Sequence, residues 1–497
     1  MLTDIRRRAE DRLSELSREY FQHHAGYKPD LAMAGIMGRY EDLQAPEVRT
    51  SIREAWEAAA DPELKLQLGY LYGDCLRNVL RRELAAMGDA LGQAEAKAIV
   101  KVADGNISYP QASIAVGQAA DRAKRKAISY ATRQVTHELN AQRMALLKLE
   151  HKLVQSELGF KDYRAFYEMV RGIDFAAMGP LAETFLADTQ ALYQPLMAAW
   201  AQDALGLPLA ELESHDVMFL RRAANFDAHF PQDKLVPALH ATLAGLGLPA
   251  DTLSNITMDL DNRPGKSSRA FCMGVRIPEE IYLCITPHGG ADDYQALMHE
   301  MGHALHFSHA RADMPFEFRF MGDNSVCEAF AFNFEHLTLE QAWLTDVGGL
   351  SAGDAEEFRR YQYRMLLFDL RRFAARHLFE LQLHGEGAMA RKGEIYAELL
   401  TKHLGVRYFE EDFLAATDGG FYTAQYFRAW CLEAQLKQVL KSRFGEAWFK
   451  NPEAGAFMQG LWANGQRLPG DALAKHLGFE KITPDALLAE VRGVLAP

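Results

Sequence analysis

The sequence predicts a mainly α-helical protein with one small β element, and three observations predict it. Long stretches free of glycine and proline repeat apolar residues every three to four positions, the period of an amphipathic helix. One short region replaces that rhythm with β-branched and aromatic residues in two runs. No period of 20–50 residues recurs, which excludes an obvious solenoid.

In chain order, Leu2, Ile5, Ala9, Leu13, Leu16 and Tyr20 make the opening stretch an amphipathic helix. That stretch lacks the apolar core of a signal peptide. Residues 123–158 run without glycine or proline and read as one long helix. Arg122, Lys124, Arg125 and Lys126 at its start have the spacing of a solvated face. "GLGLPADTL", from Gly245 to Leu253, punctuates the helices.

The β element follows, as a hairpin over Arg269–Ile277 and Ile281–Thr286 joined by "PEE". Gly289–Gly290 ends it, and "ADDYQALMHEMGHALHF" continues as a helix capped by Asp292 or Asp293. A strand edge leading into such a helix could hold an extended peptide by main-chain hydrogen bonds. A second long helix is expected from Asp354 to Gly385.

Bulk properties exclude several classes. With 48% hydrophobic and 24% charged residues, the chain has the composition of an ordinary soluble enzyme. A net charge of −13 argues against a nucleic-acid partner. No apolar run reaches membrane-spanning length, so no membrane partner is expected. Five cysteines without C-x-x-C spacing suggest reduced thiols and a cytoplasmic location.

The chemistry concentrates in "HEMGHALHFSH", His299 to His309. Its first five residues read H-E-x-x-H. On a helix, residues four apart share a face, so both imidazoles of His299 and His303 reach one ion at about 2.0–2.1 Å. Glu300 then sits beside the ion, placed to bond a water rather than the metal. The third ligand has two candidates. One plan continues as H-E-x-x-H-x-x-G-x-x-H with His309 last, but it needs a helix-breaking glycine where this chain has His306. In an unbroken helix His309 lies about 15 Å along the axis from His299, and His306 about 10 Å, so both read as packing or supporting residues.

The other plan takes a glutamate from a separate helix in "GDNSVCEAFAFNFEHL", capped by Asn324 or Ser325. Glu328 falls in its first turns, ahead of an apolar run. A carboxylate there is expensive to bury without a partner such as zinc. Glu335 lies two turns on along roughly the same face, where it can accept a hydrogen bond from a ligand histidine; the competing reading is an ordinary surface residue.

"HEMGH" followed, twenty-five residues after its second histidine, by the glutamate of "EAFAFNFE" resembles the M3 zinc oligopeptidases, the group of thimet oligopeptidase and oligoendopeptidase F. That family pairs HExGH with E-x-x-S-x-x-x-E. Glu328 and Glu335 match its two ends, and Ala331 replaces the serine. Downstream, "DGGFYTAQYFRAWCLEAQL" is similar to the family's glycine–tyrosine segment, with Tyr422 and Tyr426 on its first two tyrosines. The third tyrosine position falls on Ala429, the tryptophan comes one place early at Trp430, and Thr417 stands where the family has histidine. These departures leave open which tyrosine serves. The likeness covers about Arg269 to Leu436.

The resemblance implies that His299, His303 and Glu328 bind one Zn2+ per chain, that Glu300 is the general base, and that Tyr422 or Tyr426 stabilises the oxyanion. It also implies a two-lobed helical zincin fold, with a small sheet beside the metal and a deep channel that admits short peptides. The expected division is a mainly helical lobe over 1–250 and a catalytic lobe over 251–497. The function expected is hydrolysis of internal peptide bonds of short peptides. A carboxypeptidase of the M32 type, or a dipeptidyl carboxypeptidase, is the alternative on the same fold, and it would need a cation to hold a terminal carboxylate. A non-catalytic peptide-binding or structural-metal protein is the alternative of another class, disfavoured because a closed structural site has no use for Glu300.

Overall fold

The computed structural model describes residues 2–386 and 389–496. Twenty α-helices, eight short 3-10 helices and five short strands make up the regular structure of these residues, so the chain is mainly α with small sheets. Local chemistry sets the helix limits. Asp121 starts the helix Arg122–Ser156 by accepting the Lys124 N–H at 2.6 Å. Asp174 does the same for Phe175–Leu205 through Ala177, and Gly206, at φ 66°, ends that helix in the left-handed region. The second long helix expected runs over Ala352–Leu383. No helix among the described residues is long and apolar enough to cross a membrane.

Two compact units divide the chain, and they are interleaved in sequence. The first comprises residues 1–78, 224–360 and 428–490; the second comprises 79–223, 361–427 and 491–497. A division in chain order at residue 250 therefore falls inside the first unit. The physical reason is the N-terminal helix, Leu2–His24, which pairs with residues 309 and 311 positions away. Arg6 pairs with Glu317 at 2.7 Å, and Glu10 pairs with Arg319 at 2.7 Å.

The same helix covers one face of a three-stranded sheet. β3 (Ile256–Asp259), β4 (Phe271–Arg276) and β5 (Glu280–Cys284) lie in the order β3-β5-β4, with β3 parallel and β4 antiparallel to β5. The hairpin anticipated from sequence is β4–β5. The parallel strand β3 was not anticipated, since four residues of "ITMD" carry little pattern. Alternation along β5 sends Tyr282 to stack on Phe21 at 3.9 Å, while Ile281 and Leu283 are buried among other residues. The N-terminal helix packs on β4, and so does the helix Ala291–Ser308, which also contacts β5.

In the second unit a further hairpin pairs β1 (Ile99–Val102) with β2 (Gly105–Ser108) through the two-residue turn Ala103–Asp104. The basic run at 122–126 is not simply a solvated face. Arg125 is fully buried, 3.1 Å from Asp216, and Arg122 pairs with the same carboxylate at 2.9 Å. A charge pattern along one helix cannot show that a distant aspartate is packed against it. All five cysteines are free thiols.

Candidate metal centre

The histidine helix, Ala291–Ser308, begins where Gly289 and Gly290 turn the chain at φ 86° and 91°. Gly290 is its N-cap, so neither Asp292 nor Asp293 holds that place. Asp293 instead reaches back to accept the N–H groups of His288 at 2.5 Å and Gly289 at 2.8 Å. The glutamate helix, Asn324–Glu335, is capped by Asp323, which accepts the Ser325 N–H at 2.9 Å, rather than by Asn324 or Ser325. Asp323 also accepts the Gly470 N–H at 2.9 Å, and Arg428 lies 3.8 Å from Asp323 and 3.1 Å from Asp471. That arginine is thus tied to the start of the glutamate helix.

The two helices meet at Gly302. A Cβ at that position would lie 2.6 Å from the Cα of Ala331 and 2.7 Å from the carbonyl oxygen of Phe330. Only glycine lets the backbones come so close. Ala331, fully buried, supplies the other half of the contact.

This crossing brings three donors together. The rings of His299 and His303 lie 4.8 Å apart, nearly perpendicular. Glu328 Oε2 is 3.5 Å from His299 Nε2 and 3.8 Å from His303 Nε2. One donor atom from each of the three residues lies within 4.8 Å of the others, and no other such group of histidine, cysteine or acidic residues occurs among the described residues. The remaining ring nitrogens are engaged elsewhere: His299 Nδ1 lies 2.7 Å from Glu335 Oε2, and His303 Nδ1 lies 3.3 Å from Cys327 Sγ. With Nδ1–H donated to Glu335, His299 turns its Nε2, the nitrogen a metal would take, towards Glu328.

Glu328 Oε2 is buried and has no hydrogen-bond partner, while Oε1 accepts from Asn324 Nδ2 at 3.3 Å. An orphaned carboxylate oxygen is costly in a protein interior. A divalent cation between it and the two Nε2 atoms would satisfy it. Two imidazoles and one carboxylate form a donor set suited to zinc, so the residues present fit the metal.

The local fields follow from this crowding. Burial alone would lower His299, but Glu328 and Glu335 together push it well above its usual range. His303, buried and without a carboxylate on Nδ1, falls to about 3. Burial pushes the Glu300 carboxyl up to about 7; His299 opposes the rise and Glu328 adds to it. A bound cation would draw that value back down. A backbone hydrogen bond from Cys272, on the edge strand β4, also reaches Glu300.

The other two histidines stand apart from this group. His306 is buried with Nε2 3.0 Å from the Gly465 carbonyl. His309 ends the helix, its Nδ1 2.9 Å from the Leu305 carbonyl, and packs near Trp462. Tyr422 and Tyr426 begin the helix Tyr422–Phe444 and belong to the second unit. Their rings lie 4.7 Å apart, and Tyr426 stacks on Phe373. Further along, Trp430 stacks on Phe332 of the glutamate helix at 5.1 Å. Cys272, Asn324 and Cys327 were not anticipated as neighbours of the site. For Cys327 and Asn324 the only signal was proximity to Glu328 in sequence.

Residues 249–492 match Peptidase family M3, a span wider at both ends than the motifs alone suggested. No curated protein matches the chain.

Proposed function

The chain belongs to peptidase family M3 through residues 249–492, a family of zinc metallopeptidases, and from that premise we propose a zinc-dependent oligopeptidase that hydrolyses internal bonds of short peptides. The single observation that carries the reading is Glu328 Oε2, buried, unbonded and facing the Nε2 atoms of His299 and His303. These three residues would hold the zinc. When bound there, zinc supplies a Lewis acid for the scissile carbonyl and lowers the pKa of the attacking water towards neutrality.

The protein's own groups do the rest. Glu300 accepts the proton of the attacking water and passes it to the leaving amine. Glu335 holds the His299 ring in one tautomer and orientation. The outer edge of β4 offers main-chain groups to an extended peptide. Tyr422 or Tyr426 donates a hydrogen bond to the developing oxyanion.

Glu300→Gln tests the mechanism: it should retain zinc and lose peptide hydrolysis. Parent-rate cleavage by that variant would refute it. Mass spectrometry of a mixed-peptide digest, with C-terminally amidated peptides included, tests the mode of cleavage. An endopeptidase cuts the amidated peptides; a carboxypeptidase refuses them.

A further inference from the structure

The second unit contains a cavity of ≈ 300 Å³ lined by residues that include Arg133, Asp412, Arg372, Arg376, Tyr396 and Tyr408. Its size falls at the lower end of small-molecule sites. Arg133 comes from the helix Arg122–Ser156 and is only 6% exposed. Its guanidinium carbon lies 3.3 Å from the ring centre of Phe409 and 4.0 Å from that of Tyr130. These rings compensate its charge but accept none of its N–H bonds in the plane. Both terminal nitrogens are shielded from water and have no acceptor. The other arginines of the cavity are committed, Arg221 and Arg372 to Asp369 and Arg376 to Asp418 at 3.1 Å.

Asp412 faces the same cavity. Burial pushes its carboxyl up to about 6, Arg133 opposes that rise at a distance, and no hydrogen bond contributes. An unspent cation and an unspent acid therefore line one space without closing on each other. A simple anion would satisfy the first and repel the second; a molecule carrying both charges satisfies both.

We propose that this cavity binds a small zwitterion, an α-amino acid or dipeptide, with its carboxylate on Arg133 and its ammonium on Asp412. The inference does not depend on the peptidase reading, although such a ligand is also the product class of a peptidase.

Calorimetric titration of the full chain tests it, with alanine, leucine, phenylalanine, lysine, glycyl-leucine and inorganic phosphate as probes. At least one zwitterion should bind. Blocking its amine by acetylation or its carboxylate by amidation should each weaken it about tenfold or more. Arg133→Gln should abolish binding, Asp412→Asn should remove the preference for the free amine, and His299→Ala should leave binding unchanged. If Arg133→Gln does not fold, Asp412→Asn carries the test alone. Absence of binding by every zwitterion, tighter binding of phosphate, equal binding of blocked forms, or loss in His299→Ala alone would overturn the proposal.

Discussion

Glu335 Oε2 lies 2.7 Å from Nδ1 of His299, two helical turns beyond Glu328, whose own oxygen faces the other nitrogen of the same ring. One imidazole is thus gripped between two carboxylates of a single helix. Such a partner fixes the tautomer and raises the basicity of the ligand nitrogen. Glu335→Ala should weaken zinc affinity about 10- to 100-fold, and Glu335→Gln, which keeps an acceptor oxygen, should weaken it less. Competition with a fluorescent chelator measures both. Equal affinity in the parent and the alanine variant would reduce Glu335 to a surface residue.

Gly302 predicts a purely steric effect. Gly302→Ala places a methyl within 2.6 Å of the Ala331 Cα, so one helix must move. The expected loss is about 1–3 kcal/mol of unfolding free energy, with weaker zinc binding because Glu328 moves away from the histidines. Denaturant titration of the zinc-free variant separates the two effects.

Removing the metal should stop cleavage and lower the unfolding temperature, with both restored by added zinc. Zinc at a hundredfold over its Kd stabilises the folded state by about 2.7 kcal/mol. Thermal scans at several zinc concentrations check this. A transition temperature indifferent to zinc would mean that no ion binds where Glu328 Oε2 waits.

Of the two tyrosines, one substitution by phenylalanine should lower kcat by about 10²–10³ with little change in KM. The other should behave as a packing change. If both variants retain parent kcat, neither hydroxyl reaches the transition state.

Acid should weaken the first unit at a defined place. Burial alone would raise the Asp259 carboxyl, but hydrogen bonds from Arg263 at 2.7 Å and Lys266 at 3.0 Å outweigh it and hold it below its usual range. A depressed folded value means that the unfolded chain binds more protons in that window. The stabilisation is complete above the ordinary aspartate value of about 3.9 and is lost as pH falls through the folded value. Asp259→Asn should therefore cost about 2–4 kcal/mol at neutral pH, and its deficit should shrink below about pH 4. Urea unfolding at two pH values reads the difference.

What the sequence determined by itself was whatever repeats within a few residues. The helical period revealed the long helices, the four-residue spacing of His299 and His303 put them on one face, and the seven-residue spacing of Glu328 and Glu335 did the same for the carboxylates. The alternation before Gly289 revealed the β4–β5 hairpin. The tertiary structure alone decided which distant segments share a core. It set the N-terminal helix against a sheet far along the chain, inserted β3 beside β5, buried Arg125 against Asp216 and brought Cys327 to His303. Local periodicity says which face of an element is apolar; the choice of partner depends on complementary shape and charge across hundreds of residues, and no short window of sequence holds both halves of that match.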